Sequence, residues 1–363
     1  MVSFTFFFSV LVHTKYNKYL AFTSRIYFPI MSSAQSRYAK VHEVLGGPGD
    51  ARPTALQIIQ DENRVNDLTD KVILITGCSS GLGIETAKAL FHTGATLYLT
   101  ARDLGKAKTA LGDIVDSPRV HLLHLDLNSL ASVRACAEEF KSKESTLNIL
   151  IENAGVMACP EGRTADGFET QFGTNHLAHF LLFHLLKPLL LSSSTSRFQS
   201  RVVVVASSAH RVSSVHFDNI PLEGEYEPWK AYGQSKTANI WTANEIERRY
   251  GSEGLHAFSL HPGAIATELL RHVSDEQKSS WDADDWLKSY WKSPEQGAAT
   301  SVWGAVAREL EGTGGKYLDN CQIASPADPT KRHGPGYATW AYNPAGEAEL
   351  WMKTLELLEL KDA

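Results

Sequence analysis

The chain has 363 residues, 43% hydrophobic and 21% charged, which is the composition of a globular protein able to bury a sizeable core in one large domain. Its formal net charge of −6 argues against nucleic acid as a partner, because non-specific binding to nucleic acid favours basic surfaces. The four cysteines are widely separated and form no C-x-x-C pattern, so we expect reduced thiols in a reducing compartment and no metal site: Cys78, Cys136, Cys159 and Cys321.

The N-terminal part differs from the rest. The apolar run from Phe4 to Val12 is shorter than the ~20 residues that a membrane-spanning helix needs, and no basic segment precedes it as in a signal peptide. We interpret residues 1–30 as an appendage, either an alternative start or a weakly membrane-associating tail. The expected location is the cytoplasm, with association to the endoplasmic-reticulum membrane as the alternative. Residues 31–69 form a polar extension, in which Ala55 to Asn63 predict a short helix packed outside the core.

A strand, a glycine-rich turn and a helix are predicted between Lys71 and Leu90. Gly77 would let the chain turn off the strand, Gly81 would let the backbone approach a pyrophosphate, and Gly83 would let the helix pack close to the sheet. The start of the helix then offers free N–H groups and a positive dipole end to phosphates. This pattern predicts a dinucleotide site; the alternative is a tight turn with no ligand.

Strands and helices alternate along the rest of the chain. Strands are predicted at 72–76, 95–100, 120–125, 147–151, 201–205, 257–260 and 316–318, and helices at 82–93, 106–115, 130–141, 174–191, 229–250, 294–311 and 345–360. The alternation predicts an α/β fold, a single doubly wound Rossmann domain over residues 70–320 with a parallel sheet of about seven strands. Residues 321–363 would be a C-terminal extension whose helix docks on this domain.

Residues 268–293 interrupt the alternation with several aromatic residues among acids: Trp281, Trp286, Tyr290 and Trp291. They lie near the carboxyl ends of the strands, where ligands bind in such sheets. We interpret them either as a substrate lid or as packed surface helix.

Polar residues collect at that same edge of the sheet. Tyr232 and Lys236 are four apart on a predicted helix and so share a face, although a pair at this spacing is by default a surface pair. Ser207 follows the fifth strand, and Asn175 opens the long helix after the fourth strand. Residues 261–267, which include His261, Pro262, Gly263 and Thr267, follow the sixth strand. All of these would converge on the glycine-rich turn.

Together these motifs resemble the classical short-chain dehydrogenase/reductase family from Asp70 to Leu318. The matching elements are Thr76-Gly77-x3-Gly81-x-Gly83, Asp126-Leu127, Asn153-Ala154-Gly155, Asn175, Ser207, Tyr232-x3-Lys236 and Pro262-Gly263. Within the family, QFGTNHLAHFLL (171–182), SSAHR (207–211) and HPGAIATEL (261–269) resemble the branch of the retinol dehydrogenases and WW-domain oxidoreductases, and residues 291–324 resemble its fungal members.

The resemblance implies a role for each matching residue. Tyr232 would be the general acid/base, and Lys236 would supply the positive charge that lowers its reference pKa of ~10 while also binding the cofactor ribose. Ser207 would hold the substrate oxygen, with Ser208 as the fallback because Ala206 replaces the first serine usual in this branch. Asn175 would support a water that links Lys236 to solvent.

The second strand indicates the cofactor. An acid at its end would bind a ribose hydroxyl, whereas Arg102 offers a guanidinium suited to a 2′-phosphate, so we favour NADP(H) over NAD(H). Asp103 is expected to cap the next helix. Asp126 is expected to accept from the adenine amine, with a helix cap as the alternative. The predicted cofactor site comprises Gly77, Ser79, Ser80, Gly81, Leu82, Gly83, Arg102, Asp126, Leu127, Asn153, Ala154, Gly155, Tyr232, Lys236, Pro262, Gly263, Ile265 and Thr267.

Two further features depart from the main pattern. Glu152 stands where the family often has Asn, which leaves Asn153 in place. Histidines recur without a carboxylate partner or a convincing metal spacing, so we expect packing or subunit contacts for His176, His179 and His184 and structural roles for His210 and His261.

The sequence therefore predicts an NADP-dependent oxidoreductase that interconverts an alcohol and a ketone or aldehyde. The alternatives are a non-catalytic dinucleotide sensor or scaffold on the same fold, and another reaction such as epimerisation or dehydration. Segments 208–229 and 268–293 would define a pocket for a small hydrophobic alcohol or carbonyl compound, such as a polyketide, terpenoid or lipid-like molecule of secondary metabolism. Whether the chain forms a homodimer is left open.

Overall fold

The computed structural model describes residues 37–330 and 334–362, so the predicted appendage at 1–30 lies outside the described residues. Within those two ranges, no helix is both long and apolar enough to cross a bilayer. All four cysteines lie within these ranges, where they are buried and form no disulfide.

One sheet of eight strands lies at the centre of the fold. The strands are β1 (Val72–Ile75), β2 (Thr96–Ala101), β3 (Val120–His124), β4 (Ile149–Glu152), β5 (Ser200–Val205), β6 (Leu255–His261), β7 (Lys316–Asp319) and β8 (Gln322–Ile323). Their order is β3-β2-β1-β4-β5-β6-β7-β8, and β1 to β7 are parallel. The order reverses at the β1–β4 boundary, which is where ligands bind in doubly wound sheets. The predicted α/β class is confirmed.

The eighth strand is missing from the sequence prediction. It pairs antiparallel with β7 through a turn in which Asn320 and Cys321 both have positive φ, at 55° and 53°. A two-residue strand has too few positions to show any alternation, so its sequence pattern could not reveal it.

Twelve helices occur among the described residues: α1 (Ala55–Asp61), α2 (Leu82–Phe91), α3 (Leu104–Leu111), α4 (Leu130–Lys143), α5 (Thr170–Phe172), α6 (Ala178–Ser193), α7 (Pro228–Tyr250), α8 (Asp275–Asp282), α9 (Asp285–Tyr290), α10 (Pro294–Gly297), α11 (Ala299–Val306) and α12 (Pro344–Leu357). Two predicted boundaries are wrong. A π-helical stretch, Gly173–Leu177, joins α5 to α6, so Asn175 lies inside the long helical segment instead of opening it. The helix predicted at 294–311 ends at Val306.

Side-chain alternation along the strands produces two apolar cores, one on each face of the sheet. Leu74, Leu150 and Val202 face a core that includes residues of α4, α6, α7 and α12, whereas Ile73 and Val203 face one that includes residues of α1, α2 and α11. Helix α12 packs on α7 through Leu350, Trp351 and Leu355.

The expectation that the first helix packs outside the core is wrong. Ile58 and Ile59 of α1 are completely buried and belong to the second core. Helix α1 packs on α11, and therefore the extension before β1 is a structural part of the domain. Two adjacent isoleucines in a polar stretch give no helical periodicity, which is why the sequence did not indicate their burial.

Candidate active site

Helix α7 positions the predicted Tyr/Lys pair. Its first turn is capped by the carboxylate of Glu227, which accepts from the N–H groups of Trp229 and Lys230, and Pro228 occupies the first helical position. Tyr232 and Lys236 are each 3% exposed. The Lys236 ammonium lies 5.7 Å from the centre of the Tyr232 ring and donates to the Val205 carbonyl at 2.8 Å. The helix thus places both groups at the carboxyl end of β5.

Ser207 completes this arrangement. Burial raises the pKa of Tyr232 to about 12, and a side-chain hydrogen bond with Ser207 acts in the opposite direction. The phenol therefore keeps its proton at neutral pH and is ready to act as an acid. The Ser207 hydroxyl also accepts from the Ala209 N–H at 3.1 Å, which fixes it at the start of a 3-10 turn. The structure brings Ser207 to Tyr232, while the Ser208 N–H contacts the His261 ring at 3.2 Å.

Lys236 and Glu152 are electrostatically linked. Burial lowers the pKa of Lys236, and the Glu152 carboxylate raises it. Burial likewise raises the pKa of Glu152, and the charge of Lys236 lowers it. This pair is absent from the sequence prediction, in which Glu152 is only a departure from the family pattern.

Asn175 is fixed by the segment that follows β4. Its amide nitrogen donates to the Val156 carbonyl at 2.9 Å and to the Ser235 hydroxyl at 3.0 Å, and its amide oxygen accepts from the Val156 N–H at 2.8 Å. Gly155 lies between it and the lysine, because a Cβ at Gly155 would be 3.2 Å from Asn175 Oδ1 and 3.6 Å from Lys236 Nζ. Asn175, Ser207, Tyr232 and Lys236 are thus gathered in one region. The role of Asn175 in holding a water stays a prediction.

The glycine-rich turn forms a cradle that side chains would fill. A Cβ at Gly83 would lie 2.7 Å from Asn153 Nδ2 and 2.9 Å from the Gly77 carbonyl carbon, closer than real Cβ atoms come. Gly77 and Gly81 have φ of 76° and 62°, a region that favours glycine. No side chain of the described residues caps the start of α2, and Gly81 and Leu82 line the cavity described below. The N–H groups at the start of α2 can donate to phosphate oxygens, and the glycines of the turn let the phosphates approach the backbone closely. The residues therefore fit the pyrophosphate of a dinucleotide.

Thr76 has a part in the site that sequence reasoning did not assign. Its hydroxyl oxygen accepts from the N–H groups of Asn153 and Ala154, at 2.9 and 3.0 Å, and contacts His179 Nε2 at 2.9 Å. The side-chain amide of Asn153 donates a hydrogen bond to the Thr76 carbonyl at 2.8 Å. The motifs at the ends of β1 and β4 are therefore joined directly, and the threonine within the Thr-Gly motif was the available signal.

The residues predicted to bind the adenosine half lie outside the cavity walls. Arg102 is exposed at the end of β2, and Asp103 caps α3 by accepting from the Lys106 N–H at 2.9 Å, as predicted. Asp126 accepts from the Asn128 N–H at 3.0 Å, while Ser129 caps α4. The alternative that Asp126 caps this helix is therefore wrong; its contact with adenine stays a prediction. Leu127, predicted beside it, is buried.

A cavity of about 580 Å³ lies over Tyr232 and Ser207. Eleven of the predicted cofactor residues line it: Ser80, Gly81, Leu82, Asn153, Gly155, Tyr232, Lys236, Pro262, Gly263, Ile265 and Thr267. Gly77, Gly83 and Ala154 lie behind this wall, where a Cβ at Gly77 would meet Ala154 at 2.8 Å, and Ser79 is half-buried in the turn.

Helices α8 and α9 form part of the cavity wall. Trp281, Trp286, Tyr290 and Trp291 of this segment line the cavity, together with Trp229 of α7. Trp281 and Trp229 meet edge to face, with ring centres 6.2 Å apart. Residues 268–293 are thus largely helical and contribute to the cavity wall, while their role as a substrate lid stays a prediction.

Two basic residues hold the wall in place. Arg52 donates to the carbonyl groups of Tyr290 and Trp291 at 2.8 and 2.6 Å. Lys292 is buried and donates to the Pro262 carbonyl at 3.2 Å and to Asn320 Oδ1 at 2.9 Å, which supports the turn at Pro262-Gly263. Neither contact could be inferred from sequence, because each joins segments that are far apart along the chain.

The histidines serve packing and hydrogen bonding. His176 contacts the Thr354 hydroxyl at 2.8 Å, His179 contacts Thr76, and His184 stacks on Phe180. His210 accepts from the Ala338 N–H at 3.0 Å and its other ring nitrogen lies 2.6 Å from the Ser207 carbonyl. Burial lowers the pKa of His176 to about 3 and of His210 to about 4, so these rings are neutral at physiological pH.

Comparison with known proteins agrees with this geometry. Residues 71–278 match the model of the short chain dehydrogenase family. The chain is 52% identical over 337 residues to the short-chain dehydrogenase/reductase prx1 of Penicillium roqueforti, covering 92% of this chain and 99% of that one. It is 41% identical over 261 residues to human retinol dehydrogenase 11, covering 71% and 79% of the two chains. Among solved structures, an uncharacterised protein from Mycobacterium paratuberculosis superposes with a TM-score of 0.61 at 30% identity, covering 81% of this chain and 95% of that one.

A glycine cradle at the sheet switch point, the grouped Ser, Tyr, Lys and Asn side chains and these similarities lead to one conclusion. The chain belongs to the short-chain dehydrogenase/reductase family of oxidoreductases, as a classical member of the retinol dehydrogenase-like branch.

Proposed function

We propose that the protein is an NADP(H)-dependent oxidoreductase that interconverts a hydrophobic alcohol and the corresponding ketone or aldehyde, with Tyr232 as general acid/base. The observation that carries the proposal is the position of the buried Tyr232 phenol beside Ser207, in the wall of a cavity that also contains the glycine cradle. The exposed guanidinium of Arg102 at the end of β2 supports a 2′-phosphate and hence NADP(H) over NAD(H).

Each step of the proposed mechanism uses a group in the cavity. NADP(H) would supply or accept the hydride. Ser207 holds the substrate oxygen, and Tyr232 donates its proton to that oxygen as the carbonyl is reduced. In the oxidative direction Tyr232 accepts the proton, and the positive charge of Lys236 stabilises the phenolate. Asn175 keeps the segment after β4 in place beside the lysine.

The wall of the cavity supports a hydrophobic substrate. Four tryptophans contribute to it: Trp229, Trp281, Trp286 and Trp291. Large aromatic faces bind apolar molecules through burial of surface. The names of the relatives point the same way, since retinol is an apolar alcohol. We place the protein in fungal secondary metabolism, in the cytoplasm, with membrane association through residues 1–30 as the alternative and a homodimer as the proposed assembly.

The test is oxidation of NADPH with a panel of apolar ketones and aldehydes. We expect the Tyr232→Phe variant to bind NADPH as the wild type does but to lose about 10²- to 10⁴-fold in turnover. The matched control is Tyr226→Phe, because Tyr226 donates a partly buried hydrogen bond to the Cys159 carbonyl at 2.8 Å and does not line the cavity. If wild type and Tyr232→Phe both bind NADPH and neither turns over any compound, the protein is a dinucleotide sensor or scaffold instead.

A further inference from the structure

Glu152 carries a carboxyl group that the proposed mechanism leaves unused. It is the last residue of β4 and is 2% exposed, and its Oε1 has no hydrogen-bond partner among the described residues. An isolated buried carboxylate is strongly unfavourable, so such a group either keeps its proton or lies near a compensating cation. The surroundings of Glu152 decide between these two conditions.

Strand register places Glu152 close to the catalytic lysine. Its side chain shares a face of the sheet with Leu150, which packs in the core that includes residues of α6 and α7. Its register partner on β5 is Val204, and the carbonyl of the next residue, Val205, accepts the hydrogen bond from Lys236 Nζ. The carboxyl and the ammonium group are therefore anchored at adjoining strand ends on the same face.

Within the part of the chain that the structure describes, the other elements around Glu152 supply no competing charge. Thr76 follows β1 at the neighbouring position and is bonded to His179 of α6. Burial lowers the pKa of His179 to about 4, so this ring is neutral at working pH, and Asn175 is an amide. On α7, Tyr232 keeps its proton. The positive charge of Lys236 lowers the pKa of Glu152, and the negative charge of Glu152 raises the pKa of Lys236.

We propose that Glu152 is a positioning residue that keeps Lys236 in its ammonium form within the buried site. This rests on the proposed function, because the ammonium charge is what favours the Tyr232 phenolate there. Burial alone favours the neutral amine, and a carboxylate at the end of β4 opposes that effect. An asparagine at this position has no titratable group and would leave Lys236 without this charged partner.

The first experiment is the pH profile of kcat/KM for Glu152→Gln and for Glu152→Asn. Without the carboxylate, Lys236 loses its proton at lower pH, so the basic limb of the profile should move about one pH unit downward in both variants. Glu152→Asp should restore most of the wild-type limb. An unchanged basic limb in the Gln and Asn variants of an active enzyme overturns the proposal, while an inactive wild type refutes the proposed function instead.

A second measurement uses the protein without cofactor or substrate. A protonated carboxylic acid gives an infrared carbonyl band, and the Glu152 contribution is the part that disappears in Glu152→Gln. In Lys236→Met this band should persist to higher pH than in wild type, because coupling between two titrating groups is reciprocal. If Lys236→Met leaves the titration of the band unchanged, the two groups are not coupled and the proposal fails, whatever the catalytic results.

Discussion

Replacement of Gly83 by alanine tests the close approach of α2 to the sheet. A Cβ at this position would meet Asn153 Nδ2 at 2.7 Å and the Gly77 carbonyl carbon at 2.9 Å, and it would come closer still to that carbonyl's oxygen. Two of these three atoms are backbone, and Asn153 is held by the Thr76 carbonyl, so neither neighbour can yield easily. Overpacking of this kind costs about 1–3 kcal/mol of unfolding free energy.

Gly105, the second residue of α3, provides a matched control. Gly83 and Gly105 are each the second residue of a helix that follows a parallel strand, but a Cβ at Gly105 would meet only Asp103 Oδ1, at an ordinary 3.4 Å. Gly105→Ala should therefore be neutral or stabilise by about 0.4–1 kcal/mol. The two variants should differ by about 1–4 kcal/mol in the free energy of unfolding measured with urea.

Cofactor binding should separate the two variants as well. Displacement of the Gly77 carbonyl or of Asn153 opens the cradle, so NADPH affinity of Gly83→Ala, followed by quenching of protein fluorescence, should fall at least about tenfold. Gly105→Ala should bind as the wild type does. Equal stability and equal affinity in the two variants would show that the helix is free to move away from the sheet, and the packing argument would be wrong.

Two further predictions concern charge. Arg102→Ala should weaken NADPH binding about 10- to 100-fold in titration calorimetry and leave NADH binding nearly unchanged, because only the former has a 2′-phosphate; an equal loss for both would remove Arg102 from the phosphate site. Burial lowers the pKa of His176 to about 3, so between pH 6.5 and that value the unfolded chain binds a proton that the folded chain does not. The free energy of unfolding should therefore decrease as the pH is lowered through this window. At pH 4 the decrease due to this residue alone should be about 3 kcal/mol. His176→Gln should flatten that slope in urea titrations, and an unchanged slope would contradict the burial argument.

The sequence is informative wherever a pattern repeats over several residues. The apolar runs of β1 and β5 and the periodic helices locate the layers, and the rule that parallel strands end at one edge is sufficient to predict that Ser207 and Tyr232 lie together. The helical spacing of Tyr232 and Lys236 is sufficient to place both on one face. These are local regularities, and local regularities can be read from one chain.

Other features depend on contacts that no pattern encodes. The burial of Ile58 and Ile59 depends on α11, which lies far along the chain. The π-helical stretch around Asn175 replaces one hydrogen-bonding pattern by another without a distinctive residue type. In the sequence Glu152 is only a substitution, because its relation to Lys236 depends on the register between β4 and β5. Such properties arise from tertiary structure and become visible only when distant segments meet.

The bonds from Arg52 bear on how this pocket can change during evolution. The guanidinium donates to the main-chain carbonyls of Ser289, Tyr290 and Trp291, at 3.3, 2.8 and 2.6 Å, and not to their side chains. Substitution of those side chains can thus remodel the wall while its backbone keeps its path. A graft of residues 268–293 onto a relative would need residues 46–52 as well, because the attachment point lies ahead of the first strand. The side chains that determine the chemistry of the pocket can therefore change without loss of the Arg52 hydrogen bonds that hold its backbone.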